Sequence, residues 1–435
     1  MPEQPPLRIV QVTPGAGRMF CGACLRDNAL VTALRRLGHE AVMVPLYLPL
    51  TLDEKDQSAG EPVFFSGINV YLEQQSAFFR HAPAWLHRAL ASPALLKWVS
   101  GAAAKTNPSD LGAITLSMLR GEEGNQARDL EELIGWLRAE KPDVVSLSNA
   151  LLAGMARRIK AELRVPILCS LQGEDWFLDA LPAPDRERAW QTVTERAADV
   201  DLFIAPSRYY AELMQRRLNL PPAKVQILPN GLNLDGYAAA DRDRSQPPAL
   251  GYFARMSREK GLETLVNAFI LIKERGRVAN LKLRIGGSCG PADQVVVDAL
   301  RARLQGRGLL GDVEFHPNVS RADKLAFLRS LSVFSVPALY GEAFGLYVLE
   351  ALACGVPVVQ PRHAAFPELI EATGGGLLCA PGDEPALAEA IESLLLAPDR
   401  ARSLGAAGQK AVRQLFDVET MARRMAELCH EVRVR

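Results

Sequence analysis

Short apolar runs alternate along this chain with stretches whose apolar residues recur three and four apart, the signature of buried strands joined by amphipathic helices. LRIVQVTP, the Gly-rich GAGRMFCGA, the helical CLRDNALVTALRRLGHE and AVMVPLYL form the first such unit, and PDVVSLS, VPILCSL, DLFIAPS and VQILP continue the series. After the polar, proline-containing AAADRDRSQPP a second series begins: ALGYFAR, LKLRIGG, VEFHP, LSVFSVP, VPVVQP and GGLLCAP. Strands that alternate with helices predict parallel sheets. The fold class is therefore α/β, with two successive Rossmann-like, doubly wound domains whose facing edges would leave a central cleft. We place them at residues 1–240 and 247–435. Residues 51–128, long and aromatic, break the rhythm and read as a helical insertion in the first domain. FDVETMARRMAELCHEV, within about 416–435, reads as a terminal helix able to pack back toward the first domain.

At 435 residues the chain exceeds what one core organises, which agrees with two domains. Its 50 basic residues balance 50 acidic ones, so no net field draws it to nucleic acid, and an anionic ligand must be caught by a local arrangement. Seven scattered cysteines fit reduced thiols, and the start MPEQPPLRIV has neither a basic nor an apolar leader region. The expectation is a cytoplasmic protein without a membrane span. Peripheral contact at the inner membrane face stays open, because SAFFRHAPAWLHRALASPALLKWVS mixes aromatics with Arg80, Arg88 and Lys97. An ordinary insertion packed by its aromatics is the plainer reading.

The most informative stretch is YGEAFGLYVLEALACGVPVV, where Glu342 and Glu350 stand eight positions apart around a Phe-Gly turn. A helix starting near Gly345 would offer free amides and a positive dipole end to an anion. Eight helical steps span about 12 Å at most, so the two carboxylates could reach different parts of one ligand. Taken alone, the spacing also suits two solvated carboxylates. GYFARMSREKGLETLVNAF places Arg255 and Lys260 around a loop that enters a helix near Gly261, a pattern suited to a diphosphate. In VPILCSLQGEDWFLDAL, Glu174 and Asp175 follow Gln172 and serve either acceptor binding or a helix cap. Cys21 and Cys24 form a CxxC without a second ligand pair, which favours loop packing over zinc or redox work. The D-x-D patterns at Asp199 and Asp201 and at Asp241 and Asp243 read as solvated carboxylates, so no metal is expected. The six histidines form no ligand set, His39 reading as structural and His316 as a packed loop residue.

These motifs resemble glycosyltransferase family 4 of the GT-B superfamily: a glutamate, Phe-Gly, a second glutamate eight residues after the first, and a small-residue run ending in Gly-x-Pro-Val. The resemblance implies a retaining hexosyltransferase that uses a nucleotide diphosphate sugar as donor and needs no cofactor or metal. It implies that Glu342 contacts the donor sugar, that Glu350 binds the ribose and that the amides of Phe344, Gly345 and Leu346 line the pocket. It gives Arg255 and Lys260 to the diphosphate. Gly22 falls where the family has the second glycine of a Gly-Gly pair, with Gly17 as an alternative turn. Gln172 stands where the family has histidine, and can hydrogen-bond a sugar hydroxyl without exchanging a proton. Gly286 and Gly287 would admit the nucleotide, and Glu368, Ser207, Arg208, Asn230 and Gly231 match further family-like pieces. The base, the sugar, the acceptor, whether glycan, lipid-linked or small molecule, and the oligomeric state are not implied. A nucleotide-sugar 2-epimerase, an inverting GT-B enzyme and a catalytically weak nucleotide-sugar-binding protein are the alternatives.

Overall fold

A computed structural model of the chain describes residues 5–15, 22–48, 50, 52, 54–65, 70, 108–239 and 247–434. It divides into two compact units, unit 1 comprising Met1–Gly231 with Val418–Arg435 and unit 2 comprising Leu232–Asp417.

In unit 1, β1 (Arg8–Thr13), α1 (Gly22–Arg36) and β2 (Glu40–Pro45) come first. Then follow α2 (Pro108–Arg120), α3 (Ala127–Glu140), β3 (Val144–Leu147), a short 3-10 turn (Ala150–Met155) and α4 (Ala156–Leu163). β4 (Ile167–Ser170), α5 (Glu174–Asp179), α6 (Asp185–Arg196), β5 (Leu202–Ala205), α7 (Arg208–Arg217) and β6 (Val225–Ile227) complete the series. All strands are parallel, in the order β2-β1-β3-β4-β5-β6. Every residue of β3, β4 and β5 is buried, as expected of strands in a parallel sheet covered on both faces. The winding reverses between β1 and β3, since β2 lies on one side of β1 and β3 on the other.

Unit 2 runs β7 (Ala249–Phe253), α8 (Leu262–Arg275), β8 (Lys282–Gly287), α9 (Pro291–Gly306), β9 (Val313–Pro317) and α10 (Arg321–Arg329). It continues with β10 (Val333–Phe334), α11 (Leu346–Ala353), β11 (Val358–Pro361), α12 (Phe366–Thr373), β12 (Gly376–Cys379), α13 (Glu384–Leu395) and α14 (Pro398–Leu415). Its parallel order is β12-β11-β10-β7-β8-β9, so the winding reverses between β7 and β10. Open α/β sheets bind ligands outside the carboxyl ends of the strands at such a reversal.

The last helix, α15 (Val418–Val434), belongs to unit 1. Met421, Met425, Leu428 and Cys429 join Leu30, Leu34, Met43 and Val144 in one buried cluster. The division between the units falls at Gly231, earlier than position 240, because Leu232 donates its amide to the Phe416 carbonyl (2.8 Å) and bridges Asp417 within unit 2. Of the insertion expected at 51–128, α2 and the start of α3 are described, whereas the aromatic stretch 76–100 lies outside the described residues. Among the described residues no helix is long and apolar enough to cross a membrane.

Gly261 caps α8 in the left-handed region (φ 74°), and a Cβ there would lie 1.9 Å from the Pro337 carbonyl oxygen. The loops after β7 and β10 thus touch through their backbones, which only glycine permits. Gly374, also left-handed at φ 60°, has nothing within 4 Å of such a Cβ. Gly374→Ala should therefore cost about 1 kcal/mol and Gly261→Ala at least ~2 kcal/mol, read from the urea midpoint of unit 2 unfolding. Equal costs would exclude the close approach as the constraint.

Candidate functional site

The reversal between β7 and β10 assembles the charged residues singled out in the sequence. The loop after β7 carries Arg255 and Lys260; the loop after β10 carries Glu342. Lys260 Nζ donates to Glu342 Oε2 at 2.5 Å and also to the Tyr340 hydroxyl. The Tyr347 and Tyr340 hydroxyls donate to the same carboxylate oxygen at 2.8 and 3.1 Å. The ammonium lies 4.9 Å from the centre of the Tyr340 ring and 5.2 Å from that of Tyr347, within cation–π range. Only 21% of the Lys260 side chain and 13% of that of Glu342 is exposed, so little water screens the pair. Burial pushes the Glu342 carboxyl up, but the Lys260 charge and the bonds from Lys260, Tyr347 and Tyr340 outweigh it and hold it below the ordinary carboxylate value. Glu342 is thus an ionised acceptor with a cation fixed beside it.

Gly345 caps α11 and Gly261 caps α8, both left-handed and neither with a capping side chain, so no side chain of the cap residue engages the first amides of either helix. Leu346 opens α11, while Phe344 is buried against Phe416 with ring centres 6.1 Å apart. The Phe344 ring therefore packs the core, leaving its backbone as the part able to meet a ligand.

Arg255 is half exposed and anchored, its Nε donating to both Asp293 oxygens at 2.9 and 3.1 Å. Asp293 lies in the first turn of α9, is buried and also accepts the Gly290 amide (3.0 Å). Among the described residues only Nε is engaged, which leaves both Nη groups to donate outward. Glu350, in α11, accepts Lys324 Nζ at 2.8 Å and the Tyr237 hydroxyl at 2.9 Å, both on Oε1. Gly286 lies one residue before the end of β8, beside Phe253, whose ring a Cβ would approach to 2.6 Å. Glu368 sits in the first turn of α12. Lys260 and Glu342 are in contact, whereas Arg255 and Glu350 hold partners of their own. Asp293, Lys324 and Tyr237 lie far off in sequence and carry no local signal; Tyr340 and Tyr347 flank Glu342 within its own motif.

In unit 1, Gly22 opens α1 with nothing within 4 Å of a would-be Cβ, while Gly17 and Cys21 lie outside the described residues. The Gln172 and Asn230 amides bond each other at 3.2 and 3.4 Å. Glu174 takes the Ala150, Gln172 and Gly173 amides at 2.8, 2.8 and 3.1 Å and the Tyr210 hydroxyl at 2.9 Å. Buried with four donors around it, Glu174 organises the loop after β4. Asp175 shares the Tyr210 hydroxyl at 2.8 Å. Ser207 caps α7 through the Tyr210 amide, and Arg208 is exposed at its start. His39 accepts the Leu7 amide (3.1 Å), and His316 packs edge-on to Phe327 at 5.4 Å. Asp199 and Asp201 pair with Arg157 (3.2 Å) and Lys160 (2.7 Å), while Asp241 and Asp243 lie outside the described residues. Among the described residues no group of three or more His, Cys, Asp or Glu could hold a metal ion.

The family pattern described as Glycosyl transferases group 1 matches residues 239–411, and that of Glycosyltransferase Family 4 matches residues 112–235. The chain is 26% identical over 327 residues to a glycogen synthase of Mycobacterium tuberculosis, covering 74% of this chain and 76% of that one. It is 26% identical over 308 residues to a GDP-mannose-dependent alpha-(1-6)-phosphatidylinositol monomannoside mannosyltransferase of the same species, covering 67% of this chain and 74% of that one. Among solved structures it is similar to a sucrose-phosphate synthase from Thermosynechococcus elongatus (TM-score 0.71, 19% identity, 98% and 99% of the two chains). Anabaena HepE in complex with UDP-glucose gives a TM-score of 0.67 at 17% identity, over 98% of this chain and 100% of that one.

Breaking a largely buried ion pair costs about 3–5 kcal/mol when fully buried, so Glu342→Gln should cost roughly 2–4 kcal/mol at pH 7. A depressed carboxylate pKa stabilises the fold above the unfolded value and loses that effect as pH falls through the folded one. The gap between wild type and Glu342→Gln should therefore be full near neutrality and shrink below about pH 4 in denaturant titrations. A gap independent of pH would mean that the carboxylate is not ionised in the fold.

Proposed function

Because the chain belongs to the GT-B glycosyltransferases, with the family 4 pattern in its first half and the group 1 pattern in its second, we propose that it transfers a sugar from a nucleoside diphosphate donor to an acceptor with retention of anomeric configuration. The observation that carries this reading is Lys260, held between the Glu342 carboxylate and two phenols at the point where the unit 2 sheet reverses.

A departing nucleoside diphosphate develops negative charge on its phosphate oxygens. Lys260, the Arg255 guanidinium and the positive dipole ends of α8 and α11 suit this charge. Asp293 keeps the Arg255 fork aimed. Glu342, ionised and acceptor-only, would take hydrogen bonds from donor sugar hydroxyls, and Glu350 those of the ribose. Gly286 gives a small contour at the end of β8 for the nucleotide. Unit 1 is assigned the acceptor.

Retention without an enzymatic nucleophile requires the acceptor to arrive on the face the diphosphate leaves, its proton passing to the leaving phosphate oxygen. The neutral Gln172–Asn230 pair supports a route that needs no proton shuttle at that position. The UDP-glucose of the HepE complex and the GDP-mannose in the mannosyltransferase's name support a nucleoside diphosphate donor and differ in base. The donor is a substrate, and the reading calls on no further cofactor.

Melting the protein with UDP-, GDP- and ADP-glucose and GDP-mannose should raise the midpoint with one nucleotide class. With that donor, Glu342→Ala should lower kcat by about 100-fold or more while the variant stays folded. Unchanged turnover would remove Glu342 from the reaction, and a product of inverted anomeric configuration by NMR would overturn retention.

A further inference from the structure

Unit 1 has a reversal of its own, between β1 and β3, and a cavity of about 280 Å³ lies there. Among its described lining residues, Pro14 follows β1, Tyr47 follows β2, Leu151 follows β3 and Phe177 follows the carboxyl end of β4. α2 supplies another wall through Ile114 and Met118. The cavity thus stands where four adjacent strand ends meet, the position at which open α/β sheets take their ligands.

That wall is fixed by backbone contact. A Cβ on Gly154, in the turn after β3, would lie 2.4 Å from the Met118 carbonyl oxygen, and one on Gly121, just past α2, would lie 2.0 Å from the Gly154 carbonyl oxygen. Two glycines at backbone distance hold α2 against the turn, so the space is preformed. The described lining is apolar except for Thr115, Asn149 and the Tyr47 hydroxyl, and the Asn149 side chain already accepts the Leu151 amide at 3.1 Å. Tyr47 is partly buried, and desolvation pushes its phenol up. None of the described lining residues is charged. A sugar ring requires several side chains that donate and accept, and these walls supply few.

We propose that this cavity binds a compact apolar group, alkyl or aryl, carried by the acceptor. The proposal rests on the reading of the chain as a glycosyltransferase, and it narrows the acceptor class from any glycan to an amphiphilic alcohol or glycoside. Each methylene buried in such a site strengthens binding by about fourfold.

The full chain titrated calorimetrically with n-hexyl and with methyl β-D-glucopyranoside should bind the hexyl compound at least tenfold more tightly. Ile114→Trp, which fills the cavity from α2, should abolish that preference, as should Leu151→Phe from the turn after β3. UDP, GDP and ADP binding, measured on the same samples, should be unchanged in both variants. Equal affinity for the two glucosides overturns the proposal, as does a hexyl preference that survives both fillings. A hexyl preference sensitive to both fillings in a protein that binds none of the nucleotides would instead overturn the transferase reading, with an apolar ligand site remaining.

Discussion

The contact on which the rest of unit 2 depends is the backbone approach of Gly261 to Pro337, because it sets Lys260 beside Glu342. Each residue leaves a different strand of the sheet, and neither loop has a reason of its own to face the other. Once the loops touch, the ammonium has the carboxylate and two tyrosine rings within reach, and the same turn starts α8. One steric allowance at a glycine thereby positions both a cation and a helix N-terminus.

Much of this was legible in the sequence, for identifiable reasons. Apolar runs such as VVSL and ILCS predict strands because parallel strands are buried on both faces, and each of the twelve described strands coincides with one of the twelve runs read from the pattern, β2 alone starting one residue before its run. The helix starts near Gly261 and Gly345 were visible because a glycine before an apolar-periodic run marks a left-handed cap. The partners were not. Asp293 reaches Arg255 across 38 positions, and Tyr237 reaches Glu350 across 113; such pairings follow from strand order, which local pattern does not encode. Glu174 left two roles open in sequence, and burial with four donors favours the structural one. The early division at Gly231 was likewise hidden, since it depends on Leu232 meeting Phe416.

Three cations in unit 2 are each matched by an acid: Arg255 with Asp293, Lys260 with Glu342 and Lys324 with Glu350. This matching lets half-buried cations be held in unit 2 without leaving a buried charge uncompensated. It also separates their roles. Lys324 and Lys260 are largely enclosed, whereas 54% of the Arg255 side chain is exposed and its Nη groups point outward. Arg255 is accordingly the cation best suited to meet an incoming anion first.

Unit 1 solves a different problem with the same architecture. Its acidic side chains near the strand ends are consumed by the fold: Glu174 in backbone amides, and Asp27 in a buried bond with Arg26 (2.7 Å) and the Thr13 hydroxyl (2.8 Å). Among the described residues, those lining the cavity at its reversal point are uncharged. Two sheets that reverse their winding in the same way thus present chemically opposite ligand positions, one rich in paired charge and backbone amides, the other apolar. A protein built to bind one polar molecule twice would have no use for that contrast. One that joins an ionic donor to an amphiphilic acceptor requires it, because each ligand must be excluded from the other's position by the cost of burying a charge against hydrocarbon or leaving a buried ion pair unsolvated.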